Sequence, residues 1–403
     1  MKIAILGFGI EGKGTLRFVR NKYPKAEITI LDQKKDRNYL KNLDGFDIIF
    51  RTPGIPFNTK EIQRAARRGV NVTSATDVFL TGARGTVIGV TGTKGKSTAT
   101  TLIYEILKRA GRDVYIAGNI GKSTLDLLPK LRKNSIAVLE LSSFQLQGVK
   151  KSPDVAVILD IFPDHMDHHK SFAEYVNAKS GIVRFQDSND FVFYVPTNKI
   201  STALAKMSAG QKTSVSLGDF PMNLKILGQH NKQNAAVAAA VASRFGVSPL
   251  ISLEVINKFT GLPYRLRLTR NLGGVSFYND SASTNPQTTV AALRSFPGKS
   301  KILIAGGKDK NLNFKILRTA VNEEDVKAIV LFGECKSKMR KALGSTTLIH
   351  SSSNLENAVK TAFRKARPSD IVIFSPGAAS FDMFENYRER GDEFDRIVKK
   401  LKG

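Results

Sequence analysis

Short apolar runs alternate with amphipathic stretches along the whole chain, and the alternation falls into three blocks. In the first, up to about residue 82, "KIAILG", "EITILD" and "FDIIF" read as strands, a helix starts near Ile10, and "RTPGIP" reads as a turn. Residues 81–85, "TGARG", read as a linker. The second block opens on "TVIGVTG" and continues through "VYIAGNIG", "SIAVLELSS", "DVAVILDI" and "DFVFYV". These runs are apolar at odd and even positions alike, the pattern of parallel strands covered on both faces. From about Pro263 a third block carries "VSFYND", "KILIAGG", "AIVLFG", "TTLIHS" and "DIVIFS", separated by helical runs such as "NLENAVKTAFRKA". The pattern predicts an α/β protein of three domains, 1–82, 83–262 and 263–403, with no internal repeat.

With 403 residues and 41% hydrophobic content, the chain can bury several cores. No apolar run is long enough to span a bilayer, and Met1 leads straight into a strand-like segment, so a cytoplasmic protein without membrane attachment is expected. A single cysteine, Cys335, excludes an intrachain disulfide framework and a cysteine metal cluster, and reads as a small buried residue. Lys and Arg number 62 against 35 Asp and Glu, a formal charge of +27. The basic residues fall in short scattered clusters ("RAARR", "YRLRLTR", "KKLK") without interleaved aromatics. They predict a solvated surface that partly serves anionic small substrates, and no specific nucleic-acid site.

Two glycine-rich turns carry candidate chemistry. Gly7-Phe8-Gly9-Ile10-Glu11-Gly12 stands between a strand and a helix, with Asp32 at the end of the next strand, which is the dinucleotide fingerprint of a Rossmann-like domain. Bare backbone N–H groups at a helix start bind a diphosphate, so NAD(P) and a nucleotide sugar both satisfy it. The second turn, "GVTGTKGKSTAT", has the strand–turn–helix setting of a phosphate loop, yet Val90 stands where the strict pattern wants its first glycine. Gly92 and Gly95 let the backbone wrap phosphates, Lys96 supplies a point charge, and Ser97 can ligate Mg²⁺, an arrangement for a nucleoside triphosphate. Glu140 ends a buried strand, and Asp164, His165 and Asp167 follow another, at the edge where such a sheet presents ligands. His168 and His169 read as solvent-facing. Asn231 and Asn234, three apart near a helix start, read either as adenine contacts or as caps.

Taken together, these stretches resemble the Mur ligase family of ATP-dependent amide-bond synthetases, over all three blocks. The resemblance rests on "GTKGKST", "ELSSFQL", "DHMD", "GQHNKQN", "NDSASTN" and "SPGAASFDMFENYRERGDEF". That family's nucleotide loop is the short G-T-x-G-K-[ST], which accounts for Val90. The resemblance implies a Rossmann-like first domain holding UDP through Gly7, Gly9, Ile10, Gly12, Asp32 and the Thr52-Pro53-Gly54 turn, with Asn119, Ser142, Gln145 and His165 on the rest of the UDP-linked substrate. ATP would be held in a phosphate-loop middle domain by Gly92, Thr93, Lys94, Gly95, Lys96, Ser97 and Thr98, with Asn231, Asn234, Asp280 and Arg265. Mg²⁺ would be held by Ser97, Glu140, His165 and Lys179, the last matching a lysine that is carbamylated in relatives. From sequence alone Lys179 also reads as a surface helix lysine. In a Rossmann-like third domain, Thr284, Lys310, Ser380 and Tyr387 would hold the incoming amino acid.

The implied reaction phosphorylates the carboxylate of UDP-N-acetylmuramoyl-L-alanine and lets the amine of D-glutamate displace phosphate, with Lys96, Glu140, His165, Lys179 and Arg265 as the catalytic set and a monomer as the working form. Five positions depart from the family: Ala282 stands for a usual lysine, Tyr264 for histidine, Asp160 for asparagine, Thr52 for serine and Tyr387 for phenylalanine. Ala282 keeps a sibling ligase with another amino acid or another UDP-linked acceptor as the alternative. A dehydrogenase rests on the first turn alone, a polyanion-binding protein on charge alone, and the short loop disfavours a motor or switch NTPase.

Overall fold

The computed structural model describes residues 1–121, 123–166, 168–217, 222, 224–226, 229–310, 312–345 and 347–402. The described chain divides into two compact units, residues 1–223 with 229–258, and residues 224–228 with 259–403.

The first unit holds two parallel sheets. Strands β1 (Lys2–Leu6), β2 (Glu27–Leu31), β3 (Ile48–Arg51) and β4 (Asn71–Thr73) align in the order β2-β1-β3-β4. Ile3, Ala4, Ile5 and Leu6 are all fully buried, so the chain's first apolar run lies at the sheet's centre, covered on both faces. The second sheet is formed by β5 (Thr86–Thr91), β6 (Val114–Gly118), β7 (Ile136–Glu140), β8 (Val155–Ile158), β9 (Phe191–Tyr194) and β10 (Gln211–Ser214), in the order β10-β9-β8-β5-β7-β6. The strand order reverses around β5, so the carboxyl ends of β5, β7 and β8 open the crevice where such sheets take ligands.

The second unit holds β11 (Arg267–Leu272), β12 (Val275–Asn279), β13 (Lys301–Gly306), β14 (Val326–Phe332), β15 (Leu348–Ser351) and β16 (Ile371–Phe374), in the order β11-β12-β16-β13-β14-β15. Only β11 runs antiparallel to its neighbour. Among the described residues no helix is long and apolar enough to cross a membrane.

Every apolar run read as a strand is one. Three strands escaped the pattern: β4 is three residues long, β10 ("QKTS") is exposed throughout, and β11 ("RLTRNL") is largely polar. All three lie at sheet edges with one partner each; β4 is too short to show a pattern although its Val72 is buried, while β10 and β11 are held chiefly by backbone pairing. The expected linker overlaps the end of the helix Ala75–Gly82, whose first turn is capped by the Ser74 hydroxyl accepting the Asp77 N–H.

Candidate active site

β1 ends at Leu6 and the chain turns through Gly7, at φ 83°, into the helix Ile10–Lys22. A Cβ on Gly12 would lie 2.2 Å from the Gly7 carbonyl oxygen, so only glycine lets the helix approach the turn this closely. Above it opens a cleft of about 480 Å³, lined among others by Gly9, Ile10, Asp32, Pro53, Gly54 and Asn119, a size suited to a nucleotide-bearing small molecule. Asp32 accepts the Phe8 N–H at 2.7 Å and the Lys34 N–H at 2.8 Å, and these bonds, that from Lys34 foremost, hold its carboxyl below the usual range. The Thr52 hydroxyl donates to the Leu6 carbonyl at 2.6 Å, fixing the second rim.

Ser142 and Gln145 form a capping box on the short helix Ser143–Leu146, and Gln145 Nε2 donates to Glu11 Oε1 at 2.6 Å. Asn119 Nδ2 donates to Glu140 Oε1 at 2.9 Å, linking the cleft to the end of β7.

Sequence reasoning missed the charges beneath this cleft. Arg51 is 2% exposed and donates to the carbonyls of Ile55, Phe144 and Gln147. Burial pushes its guanidinium down to about 10, against the pull of Glu11. Burial likewise raises the Glu11 carboxyl, opposed by the Gln145 bond and Arg51. An arginine closing the apolar run "DIIFR" was the available signal.

At the second turn, Gly92 (φ 155°) and Gly95 (φ 81°) lead from β5 into the helix Lys96–Arg109, with Ser97 buried and Thr98 half-buried in its first turn. A Cβ on Gly95 would fall 2.3 Å from Asn234 Oδ1, so the helix Gln229–Arg244 presents Asn234 directly to the turn. Asn234 Nδ2 donates to Asn231 Oδ1 at 3.4 Å. Lys94, Gly95, Asp160, His230 and Asn234 line a narrow recess on the same side. The Thr93 N–H donates to the Asp160 carbonyl at 2.7 Å, stitching the turn to the loop after β8.

Three side chains give this turn its character. Lys96 Nζ donates to the carbonyls of Gly92 at 3.0 Å and Thr93 at 3.1 Å. Lys179, on the helix Phe172–Ser180, is 1% exposed and donates to the Gly92 carbonyl at 2.9 Å and Thr91 Oγ1 at 3.3 Å. Burial first, and then the Lys96 charge, drive its ammonium well below the ordinary 10.5, against Asp164 and Glu140. The surface-lysine reading of Lys179 is thereby ruled out. Glu140 is 2% exposed, and its Oε2 is buried without a hydrogen-bond partner. A buried carboxylate oxygen left open beside a phosphate turn suits a cation.

His165, at φ 56°, is exposed on the loop after β8, with Nε2 3.8 Å from Asp164 Oδ2 and its ring edge-on to Phe144 at 5.2 Å. His168 is exposed, as expected, but His169 is not: it is 3% exposed, stacked on Phe144 at 5.1 Å, with Nε2 3.0 Å from Ser143 Oγ. The aromatic neighbour that buries it comes from the end of another strand, which local sequence does not reveal. Asp167 lies outside the described residues. Among those described, no group of three His, Cys, Asp or Glu side chains is poised to hold a metal.

In the second unit the loops after β12, β13 and β16 meet. The Gly377 N–H donates to the Ser283 carbonyl at 3.0 Å, that of Gly306 to Pro376 at 2.9 Å, and that of Lys308 to Ala379 at 2.8 Å. This brings together the segments that carry Thr284, Lys310 and Ser380. Ser380 is buried, and the Lys310 ammonium lies 5.0 Å from the Phe381 ring centroid. Arg390, fully buried and not anticipated, pins these loops by donating to Ser281 Oγ at 3.1 Å, the Ser281 carbonyl at 2.9 Å and the Ala378 carbonyl at 3.0 Å. Asp280 is turned inward, accepting from the Ser283 and Ser375 hydroxyls and the Leu266 N–H, and burial raises its carboxyl to about 6. The Tyr387 carbonyl accepts the Ser281 hydroxyl, while Arg265 is exposed. Cys335 is buried, as expected, and burial pushes its thiol up to about 11.

A phosphate turn with a lysine folded onto it, an open carboxylate at the next strand end, and a nucleotide-sized cleft define the class: a nucleotide-using enzyme on a phosphate-loop scaffold. More particularly, the chain belongs to the Mur ligase family. Its residues 90–218 match the Mur ligase middle domain, and residues 264–377 match the Mur ligase glutamate ligase domain. It is 36% identical to a UDP-N-acetylmuramoylalanine–D-glutamate ligase of Acetivibrio thermocellus, over 99% of this chain and 96% of the relative. The ligase of the same name from Clostridium botulinum (strain 657 / Type Ba4) is 32% identical over 99% of this chain and 97% of that protein. Among solved structures, the fold is shared with UDP-N-acetylmuramate-alanine ligase MurC of Thermotoga maritima, at a TM-score of 0.64 and 18% identity over 100% of both chains. It is also shared with MurF ligase of the same organism in complex with ADP, at 0.62 and 18%, over 99% of this chain and 95% of that one.

Proposed function

We propose that this chain is an ATP-dependent ligase that adds D-glutamate to UDP-N-acetylmuramoyl-L-alanine in peptidoglycan precursor synthesis. The observation that carries this reading is the 36% identity, along nearly its whole length, to a ligase of that name. A free carboxylate is a poor electrophile, so its oxygen first takes the γ-phosphoryl group and ADP departs. The amine of D-glutamate then attacks the acyl carbon, the tetrahedral intermediate expels phosphate, and an amide remains. We place the reaction in the cytoplasm, performed by a monomer on small-molecule substrates. Three domains would share the work: 1–82 for UDP, 83–262 for ATP and 263–403 for the amino acid.

In this reading the first cleft takes the UDP portion on Gly7, Gly9, Ile10, Gly12, Asp32 and Thr52–Gly54, and Asn119, Ser142, Gln145 and His165 face the remainder. The second turn takes the triphosphate: Lys96 leaves the carbonyls of Gly92 and Thr93 for phosphate oxygens, while Asn231 and Asn234 face the adenine. In its uncharged form, which burial favours, the Lys179 amine would add to CO₂, forming an N–C bond and releasing a proton, and leave an anionic carbamate in its place. Mg²⁺ would be held by Ser97, Glu140, His165 and that carbamate, and would offset the charge of the phosphoryl oxygens. Arg265 and Asp280 are assigned to ATP, Thr284, Lys310 and Ser380 to the two carboxylates of D-glutamate, and Tyr387 to the amino-acid site.

The test is phosphate release from ATP and Mg²⁺ with UDP-N-acetylmuramoyl-L-alanine, with and without D-glutamate, beside a panel of other amino acids. Release that requires both the acceptor and D-glutamate is expected. Ala282 favours a sibling specificity as the second reading, and release driven by a different amino acid would establish it. No release with any amino acid overturns both.

A further inference from the structure

In the second unit, two residues in strained left-handed backbone flank Arg265: Tyr264 has φ 62° and Leu266 φ 48°. Neither is a glycine, asparagine or aspartate, the residues that tolerate this region, so both are held there by their surroundings. Backbone anchors come from one side. The Tyr264 carbonyl accepts the Ala282 N–H at 2.9 Å, and the Leu266 N–H donates to Asp280 Oδ1 at 3.1 Å. Side-chain anchors come from the helix Tyr387–Lys400. The Tyr264 hydroxyl donates to Asp392 Oδ1 at 2.7 Å, and its ring stands edge-on to Tyr387 with centroids 6.2 Å apart. The ring also lies against Gly391, where an added Cβ would come within 2.2 Å of Tyr264 Cδ1, so this helix is open at the one position the ring needs.

We propose that Tyr264 is a positioning residue: clamped by Asp392, Gly391 and Tyr387, it holds the strained turn that presents Arg265, and so ties the arginine's placement to the helix that carries Tyr387. The proposal rests on the reading that Arg265 serves the ATP-dependent step. It gives the departure at Tyr264 a physical role, because the phenol reaches an acceptor on the helix while its ring packs against another of the departures, Tyr387. A clamp of this kind acts on turnover rather than on capture of the UDP-linked acceptor, which the first unit's cleft receives.

The experiment uses the full chain labelled with ¹⁵N-arginine, with Tyr264→Phe and Asp392→Asn as variants. Asp392 is exposed, so its amide variant folds even if the phenylalanine variant does not. Without substrates, the Arg265 backbone amide is expected to have an order parameter near the rigid value of about 0.85 in the parent, falling below about 0.6 in either variant, while Arg270 in β11 stays rigid. With substrates, kcat for phosphate release falls about three- to tenfold in each variant, the KM for the UDP-linked acceptor is unchanged, and the double variant is no worse than either single one, since both remove one hydrogen bond. An Arg265 amide as rigid in both variants as in the parent, with kcat unchanged, overturns the clamp. An inactive parent whose Arg265 is nevertheless loosened by Tyr264→Phe overturns the ligase reading and leaves the clamp standing.

Discussion

The first unit contains two glycine-rich turns that follow the same rule, a strand feeding a helix whose first N–H groups are placed to receive an anion, and the side chains that finish them differ in chemical type. Around Gly7–Gly12 the finishing groups are carboxylates: Asp32 closes the turn onto the Phe8 N–H, and Glu11 sits in the helix's first turn over Arg51. Around Gly92–Ser97 they are amines, with Lys96 and Lys179 both donating to the Gly92 carbonyl. A carboxylate-finished turn leaves only backbone dipoles for a diphosphate and keeps side-chain acceptors for hydroxyl donors such as a ribose, so it binds without activating. Of these two amines Lys96 supplies positive charge at the place where negative charge shifts during phosphoryl transfer, whereas burial works against the charged form of Lys179. In the proposed reading, this difference would account for a fingerprint shared with dehydrogenases marking the holding site and the abbreviated loop marking the reacting one.

The largest effect should come from removing the amine that only the second turn possesses. Lys96→Ala is expected to lower kcat for phosphate release by about a thousandfold or more, the scale of a lost phosphoryl-stabilising cation, with acceptor binding at the first cleft retained. Equilibrium binding of the UDP-linked acceptor, measured calorimetrically beside turnover, checks both halves. Equal losses in both would erase the distinction between the turns.

A smaller effect separates the two amines by proton linkage. The folded state binds fewer protons at Lys179 than the unfolded chain does, because burial lowers the folded pKa below 10.5. Its contribution to stability therefore rises with pH across the window from the lowered value up to 10.5, and is lost as pH falls through it. The slope from one such group is at most about 1.4 kcal/mol per pH unit. Denaturant titrations in CO₂-free buffer should show that slope reduced in Lys179→Met. An unchanged slope would mean that the amine keeps its proton in the fold.

Much of this was legible beforehand, for reasons that differ by residue. Both turns were readable because glycine spacing is local, and because β1 and β5 are apolar runs on both faces. Asp32 and Asn234 were named, and the structure puts each against its turn. What stayed hidden was set by distant packing. The Glu11–Arg51 pair depends on β1 and β3 lying side by side, His169 is covered by Phe144 from a different strand end, and Arg390 reaches Ser281 from more than a hundred positions away. Edge strands β10 and β11 were hidden because their pairing uses backbone groups, which sequence pattern does not register.

The smallest effect belongs to Asp32, and it tests how the first turn is finished. Asparagine can still accept the Phe8 N–H through its carbonyl oxygen, but its amide nitrogen cannot accept from Lys34, and the charge is gone. Asp32→Asn should raise the KM for the UDP-linked acceptor about two- to fivefold, the worth of one weakened hydrogen bond, and leave the KM for ATP unchanged. Its pH dependence distinguishes it from its neighbour. The carboxyl is held below 3.8 in the fold, so its contribution is complete above that value and is lost only as pH falls through the lower folded pKa. The ratio of parent to variant KM should therefore be flat from about pH 6 to 9, far above any carboxylate held down in this way. A ratio that changes across that range would shift the titration to Glu11, whose carboxyl burial raises, and would make the charge beneath the cleft, rather than the one at its rim, the group that decides how an anionic ligand is received.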